Sequence, residues 1–205
     1  MSSSVRLLGL SGSPRDGSTA LAVRTALEYA SSLGDVTTEF VSLKGKTINP
    51  CLHCDYCVRK KKGCIQKDDV QDISPLMTET DGWILGTPVY QGSLSAQLKA
   101  VLDRCRAVVA SDPAAFRNKV GASIAVGGDR SGGQEPAIMA IHAFYMANEM
   151  IPVGGGPFGA NLGGTVWSKD KGAEGARSDE EGMKTVRKTV KRLVSVCRVV
   201  KEGTR

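Results

Sequence analysis

The sequence predicts a doubly wound α/β domain, in which a five-stranded parallel sheet carries helices on both of its faces. Short apolar runs alternate along the chain with segments whose apolar residues recur at helical spacing, and this is the pattern of βαβ units. Turns rich in glycine and hydroxyl residues follow the first, third and fourth runs. No internal repeat or long linker interrupts the alternation, so right-handed crossovers can cover both faces of one sheet.

The strands are predicted from short apolar or β-branched runs that end at turns. The first run is apolar and ends in a Ser/Gly/Pro turn, and the second is β-branched and aromatic. The third runs into Pro88, the fourth ends at Gly127 and Gly128, and the fifth precedes a glycine-rich loop. The five strands are expected at residues 5–10, 36–43, 82–87, 119–126 and 151–153.

The helices are predicted from apolar side chains three and four residues apart. Ser18 or Thr19 is expected to cap the first helix, and Gly34 is expected to stop it. The last helix is basic and amphipathic. The five helices are expected at residues 18–33, 68–77, 94–105, 137–150 and 179–200.

Length and composition limit the domain organisation and the class of protein. With 205 residues, 41% of them hydrophobic, the chain is expected to be a single domain, residues 1–205, that needs no disulfides. No apolar run approaches the roughly 20 residues of a membrane span, and residues 1–10 do not resemble a signal peptide. We therefore expect a cytoplasmic protein without a membrane partner. The net charge of +6 is modest, and no nucleic-acid-binding module is recognisable, so no nucleic-acid partner is expected.

Four of the six cysteines lie close together in a segment, residues 48–67, that we call the cysteine loop. They are Cys51, Cys54, Cys57 and Cys64, with the spacing C-x2-C-x2-C-x6-C. Thiols stay reduced in the cytoplasm, so such a group indicates metal binding or catalysis rather than disulfides. The first three cysteines have the ferredoxin type of iron–sulfur spacing, whereas structural zinc more often uses two CxxC pairs that a longer loop separates.

The turn after the first strand, residues 11–19 (loop A), has the composition of a phosphate site. It is neither the G-x-G-x-x-G fingerprint nor a P-loop. Hydroxyl groups and free backbone N–H groups at a helix N-terminus bind a phosphate monoester, and Arg15 adds a charge-assisted contact. An ordinary polar turn with a Ser/Thr cap is the structural alternative.

Two further turns, residues 86–94 (loop B) and 127–135 (loop C), have the composition of ring-binding loops. Pro88 fixes the first turn, and Tyr90 can stack on a flat ring. The glycines of loop C let the backbone approach a ligand closely. Because ligands of doubly wound sheets sit at the carboxyl ends of the strands, loops A, B and C are expected to form one site. A phosphate cradle beside two ring-edge loops indicates flavin mononucleotide (FMN).

These motifs also resemble a known family. Gly12–Arg15 and Thr87–Gly92, followed by Leu98-Lys99 and Asp103-Arg104, are similar to the NAD(P)H-dependent FMN reductase group. The cysteine motif is similar, more narrowly, to the iron–sulfur flavoproteins of anaerobes. The resemblance runs from about residue 5 to residue 165.

The resemblance implies a flavodoxin-like fold with FMN and a 4Fe-4S cluster. It implies an oxidoreductase that passes electrons between a ferredoxin-like donor and an acceptor. It also implies a homo-oligomer, a dimer or a tetramer, in which the cluster of one subunit lies near the flavin of a neighbour. No side-chain acid or base is then required.

The resemblance further implies which residues hold each group. The expected cluster ligands are Cys51, Cys54, Cys57 and Cys64. The expected phosphate-binding residues are Ser11, Ser13, Arg15, Ser18 and Thr19. The expected isoalloxazine-binding residues are Pro88, Val89, Tyr90, Gln91, Gly92 and Ser93, with Gly127, Gly128, Asp129, Arg130, Gly132 and Gly133.

Two other functions account for part of the sequence. A cluster-free NAD(P)H-dependent FMN or quinone reductase explains the three loops but leaves the cysteines without a role. A zinc-stabilised binding protein explains the cysteines but not the loops.

The basic run Arg59–Lys62 between the third and fourth motif cysteines is either a solvated loop tip or a docking patch for an acidic ferredoxin. Cys105 and Cys197 lie in helical patterns and are expected to be buried, inert thiols.

Overall fold

The computed structural model describes residues 4–203 and consists of a parallel sheet between two layers of helices. The strands are β1 (Val5–Ser11), β2 (Val36–Ser42), β3 (Gly82–Pro88), β4 (Val120–Gly127), β5 (Ile151–Val153) and β6 (Gly164–Trp167). The helices are α1 (Ser18–Ser32), α2 (Tyr56–Lys60), α3 (Val70–Glu79), α4 (Ala96–Arg104), α5 (Arg106–Ser111), α6 (Gln134–Ala147), α7 (Gly172–Arg177) and α8 (Glu180–Gly203).

The strand order is β2-β1-β3-β4-β5, and every pair is parallel. This confirms the predicted doubly wound sheet. Strands β3 and β4 are buried along their whole length, because helices cover both faces of a sheet of this type. The carboxyl ends of β1, β3 and β4 lie side by side, which places loops A, B and C at one edge.

The fifth strand position holds two short strands rather than one. Strand β5 pairs with residues 120–122 of β4, and β6 pairs with Ile124–Gly127 further along the same strand. The chain between them, residues 154–163, leaves the sheet. The sequence predicted β5 but not β6, because β6 follows a glycine-rich segment that has the composition of a loop.

The helices were predicted in their places, with differences at their ends. The predicted side-chain cap of α1 is wrong: the N-cap is Gly17, and no side chain caps the helix. The helix expected at residues 94–105 is two helices, α4 and α5, that meet at Cys105. The helix expected at residues 137–150 begins earlier, after Gly133, and ends at Ala147. The short helices α2 and α7 were not predicted.

Two apolar layers hold the sheet between the helices. On one face α1 and α8 pack against β1, β4 and β6, and on the other α3, α4 and α6 pack around Trp83 of β3. Cys105 and Cys197 are buried in these layers, as predicted, and burial raises the pKa of each thiol to about 12. No helix within residues 4–203 is both long enough and apolar enough to cross a membrane.

Candidate functional site

Loops A and B are joined by backbone contacts at the edge of the sheet. The N–H of Gly12 donates to the carbonyl oxygen of Gly86 over 2.7 Å. The hydroxyl of Ser95, the N-cap of α4, donates to the carbonyl oxygen of Gly12 over 2.6 Å. A Cβ atom added to Gly12 would lie 2.7 Å from Cβ of Leu98. Loop A therefore needs glycine at this position in order to pass so close to α4.

Loop A also contains a buried hydroxyl group that lacks a partner. Ser11 ends β1 and is 0% exposed, and its Oγ forms no hydrogen bond within the described residues. Ser13 is buried too, and its Oγ accepts from the N–H of Arg15 over 3.1 Å. Because a buried polar atom without a partner is unfavourable, the Oγ of Ser11 indicates a ligand at this edge.

Loops B and C touch through two glycines. Tyr90 and Ser93 pair their backbones across a tight turn, and Gly92 in that turn has a φ of +75°. A Cβ atom added to Gly133 would lie 3.0 Å from Cα of Gly92. Gly133 itself has a φ of +95°, which favours glycine. Tyr90 lies beside this contact and is 39% exposed as a residue, so its side chain is accessible to a flat ligand.

Loop C is fixed by contacts with Trp167 of β6 and with Asp179, and by one hydrogen bond within the loop. The indole N–H of Trp167 donates to the carbonyl oxygen of Gly128 over 2.6 Å. The side-chain amide of Gln134 donates to the carbonyl oxygen of Asp129, also over 2.6 Å. The guanidinium of Arg130 lies over Trp167 and pairs with the buried carboxylate of Asp179 over 3.2 Å.

The two ends of the cysteine loop are fixed to each other and to α4. We call residues 47–50 and 66–69, with Arg104, the neck. Arg104 pairs with Asp68 through two hydrogen bonds of 2.8 and 2.9 Å, and its guanidinium also donates to the carbonyl oxygen of Asn49 over 3.0 Å. The side chains of Arg104 and Asp68 are 1% and 0% exposed. This buried ion pair joins the segment that enters the cysteine loop to the segment that leaves it.

Further hydrogen bonds close the neck. Asp68 accepts from both the backbone N–H and the side-chain amide of Asn49. Asp69 accepts from the N–H of Thr47 over 2.7 Å. The side-chain amide of Gln66 donates to the carbonyl oxygen of Pro50 over 2.9 Å. The base of the cysteine loop is therefore rigid, whatever its tip does.

The tip of the cysteine loop carries the four motif thiols, all of them free. Cys57 lies on α2 and is buried, whereas Cys54 is exposed. The N–H of His53 lies 3.5 Å from the sulfur of Cys51. Within residues 4–203, no three His, Cys, Asp or Glu side chains are arranged to hold a metal ion. The four thiols therefore share one loop, but they do not surround a common point.

Two arginines bring positive charge to the motif cysteines. Arg106 pairs with Asp55 over 2.7 Å, and this hydrogen bond holds the pKa of the Asp55 carboxyl below its usual value. The pKa of Arg106 is raised, mainly by the same hydrogen bond. The pKa of Arg104 is also raised: burial opposes the rise, but Asp68 and Cys64 outweigh it.

Comparison with known proteins identifies the family. A profile of the family described as NADPH-dependent FMN reductase matches residues 5–164. The chain is 53% identical over 192 residues to an iron-sulfur flavoprotein of Methanocaldococcus jannaschii, covering 94% of this chain and 96% of that protein. It is 50% identical over 190 residues to an iron-sulfur flavoprotein of Archaeoglobus fulgidus, covering 93% and 96% respectively. The chain belongs to the iron–sulfur flavoproteins of this reductase family.

Solved structures confirm the fold of this iron–sulfur flavoprotein. A flavodoxin-type, WrbA-like protein of Agrobacterium tumefaciens superposes with a TM-score of 0.65 at 17% identity, covering 97% of this chain and 99% of that one. A structure of RosB, determined with a bound riboflavin phosphate derivative, superposes with a TM-score of 0.72 at 16% identity, covering 98% and 82%. The predicted flavodoxin-like architecture is therefore correct. Family membership makes the protein an oxidoreductase and supports FMN as its cofactor.

The geometry of the iron–sulfur flavoprotein fits FMN at loops A, B and C. The unpartnered Oγ of Ser11 and the close glycine contacts at Gly12 and Gly133 leave polar groups and backbone at one edge. The predicted phosphate-binding residues lie on loop A and the first turn of α1, and the predicted ring-binding residues lie on loops B and C. Their individual contacts with FMN stay predictions, as do the four cysteine ligands.

Some residues of the site were missed in the sequence. Ser95 gave no signal, although it joins loop A to α4. Asp68 and Arg104 are 36 positions apart, and only the folded chain shows that they form the neck. Arg104 stands in a segment that the family resemblance included, but the resemblance assigned it no role.

Proposed function

We propose that this flavoprotein carries FMN and a 4Fe-4S cluster and passes electrons between a ferredoxin-type one-electron donor and an acceptor. The proposed ligands of the cluster are Cys51, Cys54, Cys57 and Cys64. The donor set suits such a cluster, since four thiols in one short loop provide the required sulfur ligands. Because the neck is fixed, the tip of the loop would rearrange to bring the four thiols together.

One observation carries this proposal: helix α4 connects the flavin loops to the cysteine loop. At its N-terminus Ser95 holds loop A, and at its C-terminus Arg104 holds the neck. The helix has nine residues, so its two ends are about 13 Å apart at ~1.5 Å per residue. Neither a structural zinc loop nor a cluster-free reductase requires the cysteine loop to be fixed to the flavin site in this way.

The cofactors supply the redox chemistry: a flavin exchanges one or two electrons and an iron–sulfur cluster exchanges one. The chain's own residues then bind the cofactors and orient them. Loop A provides hydroxyl groups and backbone N–H groups for the FMN phosphate. Loops B and C enclose the ring edge, with Tyr90 beside it. No side chain has to act as an acid or a base.

We also propose that an acidic ferredoxin docks at the basic run. The residues of the run, Arg59–Lys62, are all exposed and extend from the end of α2. Cys57, a proposed ligand, lies on the same short helix. A positive surface next to the electron entry point would steer an acidic partner and speed its association at low salt.

A second copy of this chain is a further proposed partner. Three apolar side chains of the cysteine loop are exposed: Leu52 by 66%, Ile65 by 50% and Val58 by 44%. All three lie on the same loop, and exposed apolar surface of this kind favours a protein interface. Light scattering of the anaerobic protein measures the mass directly. A dimer or tetramer is expected, and a monomeric mass would reject this part of the proposal.

Anaerobic purification tests the function. We expect a brown protein that dithionite bleaches, with about four iron atoms per chain, equivalent sulfide, and FMN, since these define the proposed cofactors. A yellow protein without iron would instead indicate an NAD(P)H-dependent reductase. A colourless protein that contains zinc would reject both flavin functions.

Cysteine variants test the ligand set. Changing Cys64 to Ser is expected to remove most of the iron and leave FMN bound, because loops A, B and C do not include the cysteine loop. The matched control is Cys105→Ala, which removes a thiol that is buried between helices. Equal loss of iron in both variants would contradict the assignment, since it would report general destabilisation.

A further inference from the structure

A cavity beside the neck brings Arg104 and Cys64 to the same surface. It has a volume of about 430 Å³ and lies between α3 and α5. Its lining includes Val70 and Val108, besides Cys64 and Arg104, but none of the other three motif cysteines. The cavity is thus next to one end of the proposed cluster site and is not the cluster site itself.

The guanidinium of Arg104 uses all but one of its nitrogen atoms in the neck. One terminal nitrogen donates to Asp68 and Asn49, and the other donates to Asp68 and, over 3.5 Å, to the carbonyl oxygen of Gln66. The remaining nitrogen, Nε, has no hydrogen-bond partner within residues 4–203. The residue as a whole is 2% exposed. A buried donor without a partner is unfavourable by about 1–3 kcal/mol, so Nε indicates an acceptor that the neck does not supply.

Cys64 is positioned to supply that acceptor. It stands two residues before Gln66, whose backbone Arg104 already contacts. It lines the same cavity as Arg104. Cys51, Cys54 and Cys57 do not line this cavity.

We infer that Arg104 is a positioning residue for the cluster, whose Nε–H donates a hydrogen bond to the sulfur of Cys64 when Cys64 is a ligand. This inference rests on the proposed function. Four N–H donors of the same planar guanidinium hold the neck, so the fifth, Nε–H, would reach the ligand in a fixed direction. A hydrogen bond to a ligand sulfur favours the more negative, reduced form, and it therefore raises the reduction potential.

Pulsed electron paramagnetic resonance of the reduced, cluster-loaded protein tests the hydrogen bond directly. The protein is labelled with ¹⁵N-arginine, and a nitrogen coupling to the cluster is expected. The coupling should persist in Arg106→Lys and Arg59→Lys, which replace the other arginines near the motif cysteines. It should disappear in the double variant Arg104→Gln/Asp68→Asn, which removes Nε and keeps the neck electrically neutral.

The reduction potential gives a second readout. In Arg104→Gln/Asp68→Asn we expect the equilibrium constant for cluster reduction to fall about tenfold, which is a decrease of about 59 mV for a one-electron couple. Iron content should stay near that of the wild type. A residue that only held the neck would lower iron content instead and leave the potential of the remaining cluster unchanged.

The outcomes separate this inference from the proposed function. A protein with four iron atoms but no arginine coupling, or with a coupling that vanishes in Arg106→Lys or Arg59→Lys, overturns the inference and leaves the function standing. Absence of iron and sulfide overturns both. Should the double variant fail to fold, a wild-type coupling that survives in both lysine variants still supports Arg104, because it excludes Arg59 and Arg106 as the source of the coupling.

Discussion

The ion pair between Asp68 and Arg104 is expected to be strongly coupled energetically. Its side chains are 0% and 1% exposed, so either single change, Asp68→Asn or Arg104→Gln, leaves an opposite charge buried without compensation. Such a loss destabilises a protein by about 3–5 kcal/mol. The double change leaves no charge behind, and it should cost only ~1–2 kcal/mol in lost hydrogen bonds. The two changes are thus far from additive, with a coupling free energy of about 4 kcal/mol or more.

Urea unfolding of the wild type, both single variants and the double variant, all anaerobic, gives this coupling free energy. Asp103→Asn is the matched control, because Asp103 lies next to Arg104 and pairs with Lys99 at the surface, where the side chains are 44% and 57% exposed. The control should lose less than ~1 kcal/mol. Hydrogen exchange at the N–H of Asn49, which donates to Asp68 over 3.0 Å, measures local opening of the neck.

Additive effects would refute this reasoning. If the double variant lost as much stability as the two single variants combined, the ion pair would not be the unit that holds the neck. A loss in Asp103→Asn as large as in Asp68→Asn would mean that any change near α4 has this effect. Either result would remove the rigid base on which the proposed arrangement of the cysteine loop depends.

Three further predictions follow from particular features. Replacing Lys60–Lys62 with glutamine should slow stopped-flow reduction by ferredoxin at low salt, and the difference should fade as salt screens the charges. Gly133→Ala should weaken FMN binding at least tenfold in fluorescence titrations, since its Cβ would lie 3.0 Å from Gly92. Gly159→Ala, which has a similar positive φ but open space around it, should not. Burial alone would raise the pKa of Asp68, but its hydrogen bonds lower the pKa below 3.8. Its contribution to stability is therefore complete above pH 3.8 and is lost as the pH falls further, so Asp68→Asn should flatten the acid end of the stability profile.

Each of these three has an outcome that would contradict it. An unchanged rate of ferredoxin reduction at low salt would remove the basic run as a docking patch. Equal losses of FMN affinity in both glycine variants would show that backbone strain, and not the contact between loops B and C, matters. An acid profile that is the same with and without the Asp68 carboxyl would mean that other groups set the acid limit.

The strands could be predicted because their cause is local. Strands β1, β3 and β4 are short, mainly apolar runs bounded by turn residues, and this local pattern is enough to predict a buried strand. Strand β6 could not be predicted, because its four residues follow a glycine-rich segment and form a strand by pairing with β4. The short helix α2 was missed for a similar reason: five residues are too few to show a helical period.

The positions of the loops could be predicted from the sequence, but the contacts between them could not. Composition alone indicated a phosphate turn at loop A, because free N–H groups at a helix start require only the strand-to-helix transition. The neck could not be predicted from the sequence, because Arg104 and its partner Asp68 are 36 positions apart. The sequence predicts that Asp68 begins a helix, whereas α3 begins at Val70 and Asp68 pairs with Arg104. An ion pair between residues far apart in the sequence produces no periodic pattern. This pair forms because the fold packs α4 beside residues 47–69.

The structure assigns different work to the two halves of the cysteine loop. The base must hold its position, because it is the part that α4 connects to loop A, and it has buried charges and hydrogen bonds that resist opening. In the proposed function the tip binds the cluster and contacts the electron donor. The tip has exposed lysines and an exposed Cys54, and His53 and Asp55 have positive φ. Variants of the base should therefore alter stability and the properties of the cluster. Variants of the tip should alter association with the donor while leaving stability nearly unchanged, and this contrast separates an electron-entry loop from a structural clip.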